Sequence, residues 1–307
     1  MAPKKPAADD RTPFLLDPGP AVELPPPEKP IKRKVWTEHK AQLIERYLYY
    51  FVQVTKHGAY IDGFAGPQSE VDGEVNWSAR RVMESQPRHL QKFFLFEKDA
   101  AQQRRLRDLI NRQPRKHSKE PTRRMSIYRG DFNETLPKLL SQGLIRPREA
   151  TFALLDQRSC ECHWKSVEAL AAHKPPGENK IELFYFLANH WLERTLANTK
   201  EEGKLEAWWG APGWEALRGM HREERAALLV QRLRKDLKYK YARPYPIYQR
   251  EEREGFCMYY MIHASDHPAA SQLMLRAYDR VLKPKEDFQM KFATFDDLLK
   301  ATDDGTD

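Results

Sequence analysis

The sequence predicts an α/β fold with a largely parallel open sheet, and three observations carry that expectation. Short strand-like runs alternate with helical segments through the first part of the chain. Four of these runs lead into an acidic residue, giving Asp62, Glu97, Asp131 and Asp156. A fifth run, Ile181-Glu182-Leu183-Phe184-Tyr185-Phe186-Leu187, is almost continuously apolar, as suits a strand covered on both faces. Ligands of open α/β sheets sit outside the carboxyl ends of the strands, so the four carboxylates are expected to line one crevice.

Residues 1–35 hold Pro18, Pro20, Pro25, Pro26, Pro27 and Pro30 among many charges, a composition expected of an extended, disordered arm. From Lys40 to about Val54, residues Leu43, Ile44, Tyr47, Leu48 and Phe51 recur at helical spacing. Ala59-Tyr60-Ile61 reads as the first strand. Asp62-Gly63-Phe64-Ala65-Gly66 follows as a turn whose glycines let the backbone bend sharply and approach a ligand. Asn76 or Ser78 is expected to cap a helix through Met83. Phe93-Phe94-Leu95-Phe96 is the second strand, followed by a helix from Ala100. Ser126 to Gly130 is the third, followed by a helix from Glu134. Phe152-Ala153-Leu154-Leu155 is the fourth, followed by a helix from Val167.

Between about 190 and 240 the pattern becomes helical and highly charged, with Trp208, Trp209, Gly210 and Trp214. It reads as a helical insertion beside the active edge. Pro244 to Tyr248 and Phe256 to Ile262 then read as strands joined by Glu251 to Gly255, a link too short for a parallel crossover, so they are expected to be antiparallel. A last helix is expected from about Pro268 to Val281, and residues 283–307 form a charged tail. One domain over residues 36–282 results.

The chain has 307 residues, a net charge of +8 and a pI near 9.2, which favours an acidic partner, nucleic acid first. A merely basic enzyme fits the same numbers. No run approaches the ~18 apolar residues of a membrane span. The basic N-terminus has no apolar segment behind it, unlike a secretory signal. With only three cysteines, a reducing cytoplasmic setting is expected rather than a disulfide scaffold.

Tyr60-Ile61-Asp62-Gly63-Phe64-Ala65-Gly66-Pro67, Gly130-Asp131-Phe132-Asn133 and Leu155-Asp156-Gln157-Arg158 resemble, in order and spacing, the signatures of the three-Cys-motif partner family. Its bacterial members resemble class I S-adenosylmethionine-dependent methyltransferases. The resemblance implies a Rossmann-like sheet of five parallel strands finished by an antiparallel pair. It also implies S-adenosylmethionine as cofactor and a three-Cys-motif protein as partner.

On that reading the cofactor site comprises Asp62, Gly63, Phe64 and Gly66 at the methionine half, Glu97 at the ribose hydroxyls, and Asp131 and Phe132 at the adenine. A helix N-cap is the competing role for Asp131. Asp156 stands where many amino-methyltransferases hold the acceptor amine, although no Pro-Pro-aromatic sequence follows it here. Arg158 is a candidate grip for a phosphate or carboxylate. Cys162 is a candidate nucleophile, activated by His163 or a helix N-terminus. Packing, or zinc binding by Cys160, Cys162 and His163, stays open beside that role.

Lys40, Lys116, Arg123, Arg124, Lys235, Lys238 and Lys240 are the candidate nucleic-acid contacts, the last three interleaved with Tyr239 and Tyr241. Solvated surface explains such runs nearly as well. Two rival functions use the same strand ends. One is a Mg²⁺-dependent phosphoesterase or nuclease with Asp62, Glu97, Asp131 and Asp156 on the metal. The other is a non-catalytic nucleotide or nucleic-acid binder in a bacterial defence or repair system.

Overall fold

A computed structural model describes residues 36–67, 76–114, 122–249 and 256–282. The expected arm over 1–35, the tail over 283–307, the turn from Glu251 to Gly255, and Lys116 lie outside the described residues.

The chain opens on helix α1 (Trp36–Thr55), which leads into β1 (Ala59–Asp62), α2 (Ser78–Glu84) and β2 (Lys92–Glu97). Then come α3 (Ala100–Asn111), β3 (Arg124–Arg129), α4 (Phe132–Ser141), β4 (Thr151–Leu155), α5 (Trp164–Ala172) and β5 (Glu182–Ala188). Helices α6 (Asn189–Ala197), α7 (Glu202–Trp209) and α8 (Arg222–Lys235) precede β6 (Tyr241–Gln249), β7 (Phe256–Ser265) and α9 (Pro268–Leu282). The seven strands form one sheet in the order β3-β2-β1-β4-β5-β7-β6. Strands β1 to β5 are mutually parallel, as expected. β7 runs against both β5 and β6, so the last two strands are antiparallel to each other, also as expected.

Helices cover both faces. Phe132 and Leu136 of α4, Val167 and Leu170 of α5, and Leu192, Leu205 and Leu229 of α6 to α8 pack on one side. Leu43, Ile44, Tyr47 and Phe51 of α1 pack on the other with Val82, Leu106, Leu273 and Met274. The second side is dense in aromatics: Phe184 lies 4.7 Å from Phe152 and 4.9 Å from Tyr47, ring centre to ring centre. Each such ring contributes roughly 1.5–3 kcal/mol by leaving water.

Several boundaries differ from the sequence reading for local reasons. α2 starts at Ser78 with Trp77 before it and no side-chain cap, so neither Asn76 nor Ser78 caps it. Trp77 instead donates its indole N–H to the Ala65 carbonyl at 2.7 Å, which anchors the entry. α4 begins earlier than Glu134 because the Asp131 side chain caps it by accepting from the Asn133 amide. β6 tolerates Pro244 and Pro246 because it is the edge strand of the sheet. The charged segment after β5 is the crossover from β5 to β6 over β7, built as α6 to α8 on the face that α4 and α5 already cover.

Candidate functional site at the carboxyl edge

Strand order reverses between β1 and β4, since β2 and β3 lie on one side of β1 while β4 and β5 lie on the other. Ligands of open α/β sheets bind at such a switch point. Asp62 ends β1 and Asp156 directly follows β4, so the two carboxylates flank the switch. Both line one crevice with Lys40, Phe64, Gly66, Asn76 and Trp77. The space between them is about 10 Å³, roughly what a single water needs.

Lys40 explains the closure. Its Nζ lies 2.9 Å from Asp156 Oδ1 and 2.8 Å from Oδ2, with both residues buried, and 5.0 Å from the centre of the Phe186 ring. This corrects the expectation that Lys40 faces nucleic acid. The sequence contained the signal: Lys40 precedes Leu43, Ile44 and Tyr47 at helical spacing, so it lies on the apolar stripe of α1.

Asp62 accepts from the Tyr60 hydroxyl at 2.8 Å and from the Phe64 amide at 3.1 Å. Burial, with Asp156 and Glu97 nearby, pushes its carboxyl up to about 7 in spite of those two bonds. Glu97, at the end of β2, accepts from the Gly66 amide at 2.9 Å and from the Asp99 amide at 2.9 Å. A Cβ on residue 66 would meet Glu97 Oε2 at 2.2 Å, so only glycine allows this approach. A Cβ at Gly63 would touch Phe132 and Leu155 at 3.3 Å. The turn is thus built so that backbone, rather than side chains, faces the strand ends.

The other expected members are placed differently. Asp131 accepts from the amide and the side-chain Nδ2 of Asn133, both at 2.8 Å, and is not among the residues lining the crevice. Glu97 is not among the lining residues either, so of the four carboxylates only Asp62 and Asp156 share the crevice, and the helix-cap role of Asp131 is the one realised. Phe132 is buried, its ring 5.1 Å from Phe96 and 5.7 Å from Phe64, so packing already occupies it. Among the described residues no group of three or more His, Cys, Asp or Glu side chains is arranged to hold a metal ion. Neither the strand-end carboxylates nor Cys160, Cys162 and His163 make up such a group.

The loop after β4 is stapled by two residues of the quoted signatures, Gln157 and Asn133, to which the sequence reading gave no role. Gln157 Oε1 accepts from the amides of Glu161 and Cys162 at 3.0 and 2.9 Å, while its Nε2 donates to the Phe186 carbonyl at 3.2 Å. Asn133 Oδ1 accepts from the His163 amide and the Ser166 hydroxyl, both at 2.8 Å. Their place in the signatures was the available signal, but the partners of Asn133, 30 and 33 residues away, and Phe186, 29 residues from Gln157, are not written in the local sequence. Cys162 is fully buried and burial pushes its thiol up, the reverse of nucleophile activation. Cys160 is pushed up to about 12 for the same reason. Both are packing thiols. Arg158 is exposed and reaches back to the Pro67 carbonyl at 3.5 Å.

The basic segments lie elsewhere. In a parallel sheet the connection from helix to next strand ends at the amino edge. Arg124 opens β3 there, and Lys235, Lys238 and Lys240 occupy the turn into β6. Those four are exposed. Arg123 instead donates to the carbonyls of Met83 at 2.9 Å and Leu90 at 3.3 Å, with its guanidinium 4.6 Å from the Phe93 ring centre, so it is a framework residue. Tyr239 is buried and donates to the Ile181 carbonyl at 2.7 Å, which removes it as a stacking platform. Arg232 lies between Trp164 and Trp209, at 3.7 and 4.2 Å from their ring centres.

Fold and site together define a Rossmann-like α/β protein with a candidate ligand crevice at its topological switch point. No helix among the described residues is long and apolar enough to cross a membrane. No family model matches the chain, and no curated protein matches it.

Proposed function

We propose that the carboxyl edge of this sheet binds S-adenosylmethionine, and that the protein is a methyltransferase-like enzyme, cytoplasmic and related to the three-Cys-motif partner family. The observation that carries this reading is the contact between Gly66 and Glu97. A strand-end carboxylate sits 2.9 Å from the amide of a glycine turn beside the switch point, where no other residue type fits. Nucleotide-binding sheets place an acidic group at this position to accept from ribose hydroxyls. The reversed seventh strand also agrees with the resemblance.

In this reading the Asp62–Gly66 turn holds the methionine half and Glu97 the ribose. S-adenosylmethionine supplies an electrophilic methyl on a sulfonium. Asp156 orients the acceptor group beside it, and Gln157 keeps the loop carrying Asp156 and Arg158 in place. Since Lys40 fills the crevice, ligand entry requires its side chain to withdraw from Asp156. Phe132 serves by packing behind Gly63 and Phe64.

Glu97→Ala tests the reading directly. Two charge-assisted bonds at ~1.5–3 kcal/mol each imply at least a tenfold loss of S-adenosylhomocysteine affinity by calorimetry. Unchanged affinity, or no binding by the wild type, removes the cofactor assignment.

The acceptor is proposed to be nucleic acid or another anionic substrate, and a nucleic acid long enough to span the sheet also contacts the exposed lysines at the amino edge. Reversing the charge of Lys235, Lys238 and Lys240 together is expected to flatten the salt dependence of nucleic-acid binding, because fewer counterions are released. Cofactor affinity is expected to stay unchanged, since those lysines and the crevice occupy opposite edges. An unaltered salt slope removes nucleic acid from this surface.

A further inference from the structure

At the amino edge, α1, α9 and the starts of β4 and β5 line a half-open pocket of about 270 Å³. Phe51, Ala270 and Leu273 give it an apolar wall, and Lys174, His57 and His267 face the same space. The acidic groups of the lining are already engaged. Glu182 accepts from the Tyr47 hydroxyl, lies 2.8 Å from His263 Nε2, and accepts from the Ser265 hydroxyl at 2.8 Å. Glu178 pairs with Arg148 at 3.1 Å, and Lys180 pairs with Asp266 at 3.1 Å.

Lys174 differs from these. It is only 8% exposed, and its Nζ donates to the main-chain oxygen of Glu149 at 2.5 Å. The Glu149 carboxylate is held by Lys92 at 2.7 Å, and among the described residues no carboxylate forms an ion pair with Lys174. Burial pulls the Lys174 ammonium down to about 8, against the opposing pull of the nearby Glu149, Glu178 and Glu182 carboxylates. A buried cation with no carboxylate in direct contact is costly, and an anion seated beside it offsets that cost. The volume lies just under the ~300–1,000 Å³ of pockets for drug-sized ligands, so the occupant is small.

We propose that this cavity binds a small amphiphilic carboxylate, its head on Lys174 and its apolar chain along Phe51 and Leu273. The site is separate from the carboxyl-edge crevice, so its failure leaves the cofactor reading untouched.

The test is an NMR titration of the full chain with octanoate and, separately, with uncharged octanol. Octanoate is expected to shift the ring C–H resonances of His57 and His267 and to bind at least about tenfold tighter than octanol. Lys174→Met is expected to lose about tenfold in octanoate affinity while octanol binding stays the same. Leu273→Trp, which fills the cavity from α9, is expected to abolish binding and keeps the test decisive should Lys174→Met fail to fold. Unshifted histidines, octanol binding as tightly as octanoate, or octanoate binding retained by Leu273→Trp overturns the proposal.

Discussion

Replacing Lys40 by methionine is expected to lower stability by about 3–5 kcal/mol at neutral pH, because a buried carboxylate loses its cation. The ammonium touches both oxygens of Asp156, at 2.9 and 2.8 Å, and both side chains are nearly inaccessible. Deleting one partner of such a pair costs far more than the pair itself contributes, since the remaining charge has been taken out of water. The double variant Lys40→Met with Asp156→Asn removes both charges and is expected to recover most of the stability. Urea unfolding of the four members of this cycle measures the coupling. Single losses below about 1 kcal/mol that simply add would show that the pair behaves like an exposed one. The same variant carries a functional expectation. Freed of its resident ammonium, the crevice should admit ligand more easily, so a lower stability should come with an unchanged or stronger S-adenosylhomocysteine complex.

Much of the fold was legible because strand and helix periodicities are local. The β5 run from Ile181 to Leu187 is apolar on both faces because helices cover both sides of the sheet. The pairing of β6 with β7 followed from a link too short for a crossover. Cap positions were read less well, since Trp77 enters α2 through a contact with the Ala65 carbonyl that no local rule anticipates. The candidate site divides in the same way. Asp62 and Gly66 lie in one strand end and its glycine turn, and Glu97 joins them because it ends β2, the parallel neighbour of β1. The Lys40–Asp156 pair spans a sequence separation of 116 and depends on how α1 lies across the sheet. Arg123 and Tyr239 look like nucleic-acid contacts in sequence, yet one is bound to carbonyls and the other is buried. Charge and aromaticity do not reveal which way a side chain turns.

Asp62→Asn is expected to stabilise the protein at pH 8 and to leave it little changed near pH 4. The folded-state carboxyl is raised from 3.8 to about 7, chiefly by burial. The folded state therefore holds this proton more tightly than the unfolded chain does. Stability from the protonated form is fully present below pH ~4 and is lost progressively as pH rises through about 7. At about 1.4 kcal/mol for each tenfold change in proton affinity, the wild type carries a cost on the order of 4 kcal/mol once Asp62 is ionised. Asparagine keeps an acceptor for the Phe64 amide, which Asp62 binds at 3.1 Å, and carries no charge to desolvate. The difference between variant and wild type should thus open between about pH 4 and pH 7 and stay level above that in urea unfolding. A difference that stays constant with pH would mean that Asp62 is ionised at its ordinary pKa and that the crevice is wetter than its geometry implies. Retention of a destabilising carboxylate at the switch point is what a ligand-binding role explains. The same substitution is accordingly expected to weaken S-adenosylhomocysteine binding while it strengthens the fold, and a variant that gains stability with no loss of ligand affinity would separate Asp62 from the cofactor site.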